Sequence, residues 1–230
     1  MRHFVWALFA CASVTCLAHT ASAQSPWYIE GSAGTQVRLD SSRSTTFRNL
    51  NNGATGPGTN TASFDAGYVV NLGLGYKLPF GVRVEGELGY AHYSVNGITP
   101  VSTDGTFPVL NGSRVALQSG GGMDQGSATV NAFYDLPVPG RFVPYIGVGF
   151  GAVLISEQAT RFTNSSGTVQ FNQNSSSIIL PAMLGEVGLT IALDANWAAV
   201  PSYRFQHVFT QAGTFIDDSN IFKLGLRYSF

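Results

Sequence analysis

Apolar and polar side chains alternate over the last nine residues of the chain. The apolar positions are Phe222, Leu224, Leu226, Tyr228 and Phe230. The positions between them are mostly small or polar, including Lys223 and Arg227. A period of two places the two sets on opposite faces of a β-strand. Because a lipid-facing barrel strand carries an apolar stripe with aromatics at its rim, we expect this strand to face lipid.

The same alternation recurs seven times upstream. The predicted strands cover residues 27–40, 62–77, 125–136, 143–156, 177–193 and 197–207, with a further strand that starts at Val82. Long polar segments at 41–61, 95–124, 157–176 and 208–219 alternate with short turns at 78–81, 137–142 and 194–196. This pattern predicts an all-β fold. The expected architecture is an eight-stranded antiparallel transmembrane β-barrel with short periplasmic turns and four long extracellular loops.

Aromatic residues from distant parts of the sequence fall at one end of the predicted strands. They are Trp27, Tyr76, Phe80, Tyr134, Phe142, Trp197, Tyr228 and Phe230. Aromatic girdles of this kind lie at the two surfaces of a membrane barrel, so we expect these residues at the periplasmic surface.

Composition agrees with a barrel whose apolar residues are spread over alternate positions. Charged residues make up 11% of the chain, and it contains 27 glycines. Soluble domains carry about 25% charged residues. A soluble barrel or sandwich would need Lys, Glu and Asp along its wet face, where this chain has mostly Gly, Ser, Thr and Asn. The near-balance of 12 basic and 13 acidic residues argues against a nucleic-acid partner.

The N-terminus has the features of an export signal. Arg2 and His3 precede a mostly apolar run, and Ala21-Ser22-Ala23 fits the small-x-small cleavage pattern. We therefore expect residues 1–23 to be a cleaved signal peptide and residues 24–230 to form the barrel domain. Both cysteines, Cys11 and Cys16, fall within the signal. The mature chain would then hold neither a disulfide nor a cysteine metal site, and we expect no cofactor.

Two segments in the second half of the chain carry a family pattern. Ala128–Leu136 and Pro144–Gly151 follow N-x-Y-Y-D … P-Y-x-G-x-G-x-G, with Phe133 in place of the first tyrosine. Together with Gly225–Phe230, they resemble the OmpA/OmpX-like outer-membrane β-barrel domain family, which includes small surface antigens and opacity-type proteins.

The resemblance covers essentially the whole mature chain. It implies an outer-membrane location in a Gram-negative bacterium, contact with outer-membrane lipid and lipopolysaccharide, and insertion by the outer-membrane assembly machinery, which reads the C-terminal aromatic strand. It implies no common catalytic activity. Family members act in envelope integrity, adhesion and host contact, so host or matrix ligands are candidate partners of the loops.

The inward faces of the predicted strands carry charges of both signs. These residues are Glu30, Arg38, Asp65, Lys77, Arg83, Glu85, Glu87, Asp135, Glu186, Arg204, Lys223 and Arg227. An eight-stranded barrel is just wide enough for side chains to fill. We therefore expect a network of salt bridges, with Glu30–Arg227 and Glu186–Arg204 as pairs on adjacent strands. A narrow porin-like pore for small solutes is the alternative, because inner-face glycines at 147–151 leave some room.

A catalytic alternative comes from Tyr203–His207, which resembles the segment around the catalytic histidine of PagL-type lipid A deacylases. In that family a serine nucleophile lies two residues after the histidine, where this chain has Phe209. Thr210 is the nearest hydroxyl and a poor substitute, and Asp217 or Asp218 are candidate orienting acids. The sequence therefore favours a non-enzymatic protein with a structural and surface role.

Overall fold

The computed structural model describes residues 25–48, 55–102, 115–119, 121–158, 160–163, 170–173, 175–209 and 218–230. The strands are β1 (Trp27–Arg38), β2 (Ser41–Arg48), β3 (Thr55–Phe64), β4 (Gly67–Lys77), β5 (Val82–Ser102), β6 (Val115–Ser119), β7 (Gly122–Asp135), β8 (Phe142–Glu157), β9 (Thr160–Thr163), β10 (Gln170–Gln173), β11 (Ser176–Ala192), β12 (Trp197–Val208) and β13 (Asp218–Ser229). A single 3₁₀ turn, Pro79–Gly81, joins β4 to β5. Within these ranges, no helix has the length and apolar character needed to cross a membrane.

Eight of the strands close into an antiparallel ring. The order around the ring is β1, β4, β5, β7, β8, β11, β12 and β13, and β13 pairs back with β1. The β1–β13 ladder extends from Tyr28↔Ser229 to Arg38↔Ser219. Each barrel strand is therefore hydrogen-bonded on both sides, and the predicted eight-stranded barrel is confirmed.

Side chains alternate between the outside of the ring and its lumen. On β13, Phe222, Leu224 and Leu226 are exposed on the outside, whereas Lys223 and Arg227 are buried in the lumen. The other barrel strands also carry apolar residues on the outside, as on β4 with Leu72 and Leu74. The apolar stripe predicted from the period of two is thus the outer wall of the ring.

The three short turns and the C-terminus lie at one end of the ring, called here the turn end. The predicted aromatic residues gather there, and some of them are in contact: the ring centroids of Trp27 and Tyr76 are 4.9 Å apart, as are those of Trp197 and Tyr228. In the β11–β12 turn, Asp194 Oδ1 accepts the backbone N–H groups of Trp197 and Asn196, each at 2.8 Å. These two bonds hold the pKa of Asp194 below its usual value.

The opposite end, called here the loop end, continues as β-structure. There β2, β3, residues 95–102 of β5, β6, β9 and β10 pair in an antiparallel arrangement, called here the outer sheet. The interpretation of 41–61, 95–124 and 157–176 as loops is therefore wrong in local structure where these strands lie. Their Ser, Thr, Asn and Gly residues do not alternate between apolar and polar, so no strand period is visible in the sequence.

Candidate functional site

Four charged residues meet inside the ring. Arg204 on β12 contacts Glu186 on the neighbouring β11, with Nε to Oε2 at 2.7 Å. Arg204 also contacts Glu87 on β5, with Nη2 to Oε2 at 2.8 Å. Lys223 Nζ lies 3.1 Å from Glu186 and 3.4 Å from Glu87. All four side chains are buried. Because β12 and β5 stand on opposite sides of the eight-strand ring, the Arg204–Glu87 pair crosses the lumen.

Further ion pairs lie between neighbouring strands. Arg227 Nη2 contacts Glu30 Oε2 at 2.7 Å, and Arg83 Nε contacts Asp135 Oδ2 at 2.9 Å. Arg83 also donates from Nη1 to the hydroxyl of Tyr28, at 3.0 Å. Both pairs expected from strand order, Glu30–Arg227 and Glu186–Arg204, are thus in contact. We call the charged residues in these contacts, together with Glu85, the charged layer; its members are Glu30, Arg83, Glu85, Glu87, Asp135, Glu186, Arg204, Lys223 and Arg227.

Two more of the sequence-predicted interior residues lie near the ends of the lumen. Lys77 is half-buried at the turn end and donates to Ser229 Oγ at 2.8 Å. Arg38 is buried towards the loop end, where its Nη2 donates to Gln125 Oε1 at 2.6 Å. Its guanidinium carbon lies 4.2 Å from the ring centroid of Tyr93. These two residues therefore reach beyond the charged layer on either side.

The prediction that Asp65 lies inside the barrel is wrong. Asp65 is exposed in the gap between β3 and β4, and its Oδ1 accepts a hydrogen bond from Asn96 Nδ2 at 2.6 Å. The β3–β5 register shifts between Ser63 and Phe64. An alternation counted back from β4 therefore does not hold beyond this irregularity, because one shifted position exchanges the two faces of a strand.

Glu85 is the charged-layer carboxylate without a salt bridge to any described side chain. It is buried on β5 beside Tyr28. Among the described residues, its Oε2 has no hydrogen-bond partner, and neither has the side-chain oxygen or nitrogen of Asn131, opposite it on β7. A buried carboxylate without a salt bridge is costly, so Glu85 lowers the stability of the barrel.

An apolar layer closes the lumen towards the loop end. It consists of Tyr93, Met123, Val153, Ile155, Leu180, Ala182 and Val208. Phe64, Val95 and Ile178 pack against it. These residues were not predicted to line the lumen, because the alternating pattern indicates a polar interior. The available signal was the continuous apolar run over residues 178–184, which is typical of a strand buried on both faces.

Neighbouring side chains fill the space beside the inner-face glycines. A methyl group on Gly147 would collide with the ring of Phe133, and one on Gly149 would collide with Asn131. In the same way Gly75 lies against the ring of Tyr28, and Gly188 lies against that of Tyr145. These glycines accommodate bulky neighbours, so they do not supply the room that the pore alternative requires.

His207 lies on the outer face of β12, where its Nδ1 is 2.6 Å from Asp218 Oδ1. Of the two candidate acids, Asp218 is therefore in contact with the histidine, while Asp217 and Thr210 fall outside the described residues. Position 209 holds Phe209, whose ring packs edge-on against His207 at 4.9 Å. The pair thus has an acid and an imidazole without the serine that deacylase chemistry needs. The described residues also include no cluster of three or more His, Cys, Asp or Glu side chains that could hold a metal ion.

The contrast between Glu85 and Glu87 generates a matched pair of variants. Glu87→Gln leaves Arg204 and Lys223 with one carboxylate instead of two, so we expect it to lower the free energy of unfolding by about 3 kcal/mol. Glu85→Gln removes a carboxylate that has no salt bridge to a described side chain, so we expect unchanged or higher stability. Urea unfolding of the refolded barrel in lipid vesicles, followed by tryptophan fluorescence, measures both. Equal losses in the two variants would contradict this interpretation of Glu85.

Comparison with known proteins agrees with the geometry. The sequence matches the family described as "Outer membrane protein beta-barrel domain" over residues 7–230. The fold is similar to Neisserial surface protein A (NspA), with 13% identity, a TM-score of 0.52, and coverage of 91% of this chain and 100% of that chain. It is also similar to the outer membrane protein OprG from Pseudomonas aeruginosa, with 14% identity, a TM-score of 0.57, and coverage of 90% and 97%.

A search of curated proteins found no match. The family match covers nearly the entire sequence, and the closed ring with its apolar outer wall has the architecture that such a match implies. The short turns are accordingly periplasmic, and the loop end is extracellular. This chain therefore belongs to the outer membrane protein beta-barrel domain family and is a β-barrel protein of the bacterial outer membrane.

Proposed function

We propose that the protein has a non-enzymatic surface role, in which the closed barrel anchors the outer sheet for contact with host, matrix or envelope components. The observation that carries this proposal is the continuity of β5, which extends without a break from Val82 at the turn end to Ser102 in the outer sheet. Strand β3 then pairs with residues 95–102 of β5 and adds β2 at the edge. A surface held on an unbroken strand keeps a fixed geometry above the membrane, as a contact surface requires.

The charged layer is part of the same proposal, as a structural filling of the barrel. The Arg204–Glu87 pair spans the lumen, and the apolar layer lies between it and the outer sheet. Ion pairs that join opposite walls hold them at a fixed separation while satisfying each other's charge. This arrangement favours an anchoring role over the porin-like pore.

A conductance measurement tests the closed lumen. We expect the purified protein in a planar lipid bilayer to give no stable open state, because side chains of opposite walls meet inside it. A variant with residues 41–63 replaced by an Asn-Gly turn loses β2 and most of β3 but keeps the charged layer, so we expect it to remain closed. A sustained open state of the unmodified protein would contradict the structural role of the charged layer.

The same 41–63 replacement tests the surface role. Cells that produce it should bind host cells or immobilised matrix proteins severalfold less than cells that produce the unmodified protein, because the edge of the outer sheet is missing. Migration on unboiled SDS gels serves as the control for folding, since a closed barrel ladder resists detergent until heated. Unchanged binding by a correctly folded variant would count against surface contact through the outer sheet.

We also propose that the C-terminal stripe serves as the signal for the outer-membrane assembly machinery. Phe222, Leu224, Leu226, Tyr228 and Phe230 all face outward on or just after β13. The stripe lies on the outer face of β13, the strand that closes the ring by pairing with β1. We therefore expect the assembly machinery to recognise the stripe before the ring closes.

Two exposed aromatic residues of the turn end, Phe230 and Phe142, allow a matched test of this assembly signal. We expect Phe230→Ala to lower the amount of heat-modifiable protein in the outer membrane severalfold, and Phe142→Ala on β8 to have little effect. The two residues have similar exposure, 49% and 59%, so lost lipid contact alone would affect both alike. Equal assembly defects in the two variants would remove the special role of Phe230.

A further inference from the structure

Two histidine–aspartate pairs lie on the outer wall of the barrel, away from the charged layer. His92 Nδ1 on β5 is 2.9 Å from Asp124 Oδ1 on β7, and His207 Nδ1 on β12 is 2.6 Å from Asp218 Oδ1 on β13. Each of the four side chains is about one-third exposed, between 32% and 37%. Such polar pairs are unexpected on a wall whose other residues are largely apolar.

Both pairs lie at the same depth. Along β12 and β13, the His207↔Asp218 pair stands ten positions above the Trp197↔Tyr228 pair of the aromatic girdle. Along β5 and β7, the His92↔Asp124 pair stands ten positions above Val82↔Tyr134. A tilted strand crosses the hydrocarbon core in about 9–11 residues. Each pair is therefore placed where the acyl chains end and the headgroups of the outer leaflet begin.

The two pairs also lie on opposite sides of the barrel. In the ring order, the β5–β7 junction and the β12–β13 junction are separated by four strands in either direction. One pair cannot substitute for the other, because a lipid molecule beside one junction is on the far side of the barrel from the other. The wall thus carries two separate positions with the same chemistry.

Each pair is accompanied by aromatic rings. The ring of Tyr68 stacks on His92 with centroids 5.7 Å apart, and the hydroxyl of Tyr90 donates to Asp124 Oδ1 at 2.5 Å. At the other junction the ring of Phe209 lies 4.9 Å from that of His207. A carboxylate can only accept, so each histidine donates its Nδ1 hydrogen to the aspartate, and this bond fixes the orientation of the imidazole.

A carboxylate, an oriented imidazole and an aromatic ring side by side match the chemistry of a sugar. Sugar hydroxyls donate to carboxylates and exchange hydrogen bonds with imidazole nitrogens, while the C–H face of a sugar ring packs against an aromatic ring. A phosphate alone would face the negative charge of the aspartate, which disfavours it. The pairs therefore fit hydroxyl-rich headgroups better than simple anionic ones.

We propose that His92–Asp124 and His207–Asp218, with their flanking rings, are two binding sites for the sugar headgroup of the outer-leaflet glycolipid, lipopolysaccharide. This inference rests on the outer-membrane location of the barrel and is independent of the surface role proposed above. The lipopolysaccharide headgroup would thus bind at two defined positions, and not along the whole apolar wall.

The test uses the full-length barrel refolded in phosphatidylcholine vesicles, to which lipopolysaccharide is added. The measured quantity is the lipopolysaccharide concentration that gives half of the maximal rise in the temperature of heat modification. We expect the double variant Asp124→Asn/Asp218→Asn to require about tenfold more lipopolysaccharide, since each site loses a hydrogen bond to a charged group. Asparagine keeps an oxygen for the histidine N–H, so folding without lipopolysaccharide should be preserved.

The matched control is Ser156→Ala/Ser177→Ala. These two serines face outward on β8 and β11 with their hydroxyl oxygens 3.0 Å apart, fourteen positions above the turn-end pair Phe142↔Ile191. Because this pair lacks a carboxylate and an imidazole, we expect the control to need the same lipopolysaccharide concentration as the unmodified protein. The single variant Asp124→Asn should lower the number of tight sites from two to one.

Three results would overturn the proposal. The first is an unchanged lipopolysaccharide requirement in the folded double variant. The second is an equal increase in the serine control, which would indicate a general effect of changing the rim. The third is an equal stabilisation of the unmodified protein by phosphatidic acid, which carries a phosphate headgroup without a sugar.

Discussion

The absence of water in the membrane core is the constraint from which the rest of this structure follows. Every backbone N–H and C=O group at that depth needs a partner within the protein, because each unpaired group costs several kcal/mol. The ladder between β1 and β13 meets this need by joining the first and last strands of the ring. Once the ring is closed, each strand has one face towards lipid and one towards a narrow lumen, and the period of two in the sequence is a direct consequence.

The narrow lumen then determines how charge is placed. Eight strands leave space for side chains and little else, so an inward charge must find its partner among other inward side chains. Arg204 satisfies this condition with two carboxylates, one from its neighbour β11 and one from β5 across the ring. Large rings such as those of Tyr28 and Tyr145 fit because Gly75 and Gly188 stand beside them. The interior is therefore packed like the core of a small domain.

The elements under the strongest physical constraint were the ones that the sequence predicted. The outward stripe of β13, the eight-strand count and the Glu30–Arg227 contact all follow from regular alternation between short turns. The outer sheet was missed because its strands lie outside the membrane core and need no apolar face. Asp65 was misplaced because a register shift beside it breaks the alternation. The His92–Asp124 contact depends on the pairing of β5 with β7, and no local pattern marks it.

The apolar layer links the charged lumen to the extracellular surface. Tyr93 belongs to this layer, and its ring lies against the guanidinium of Arg38, which is buried between the charged layer and the loop end. An apolar barrier between bulk water and the ion pairs keeps the local dielectric constant low, which strengthens each pair relative to the same pair in water. The outer sheet covers this barrier, since Phe64 of β3 and Val95 of β5 pack against it. Changes in the polar, hydrated edges of the outer sheet can therefore alter the extracellular surface without disturbing the contacts that hold the barrel closed.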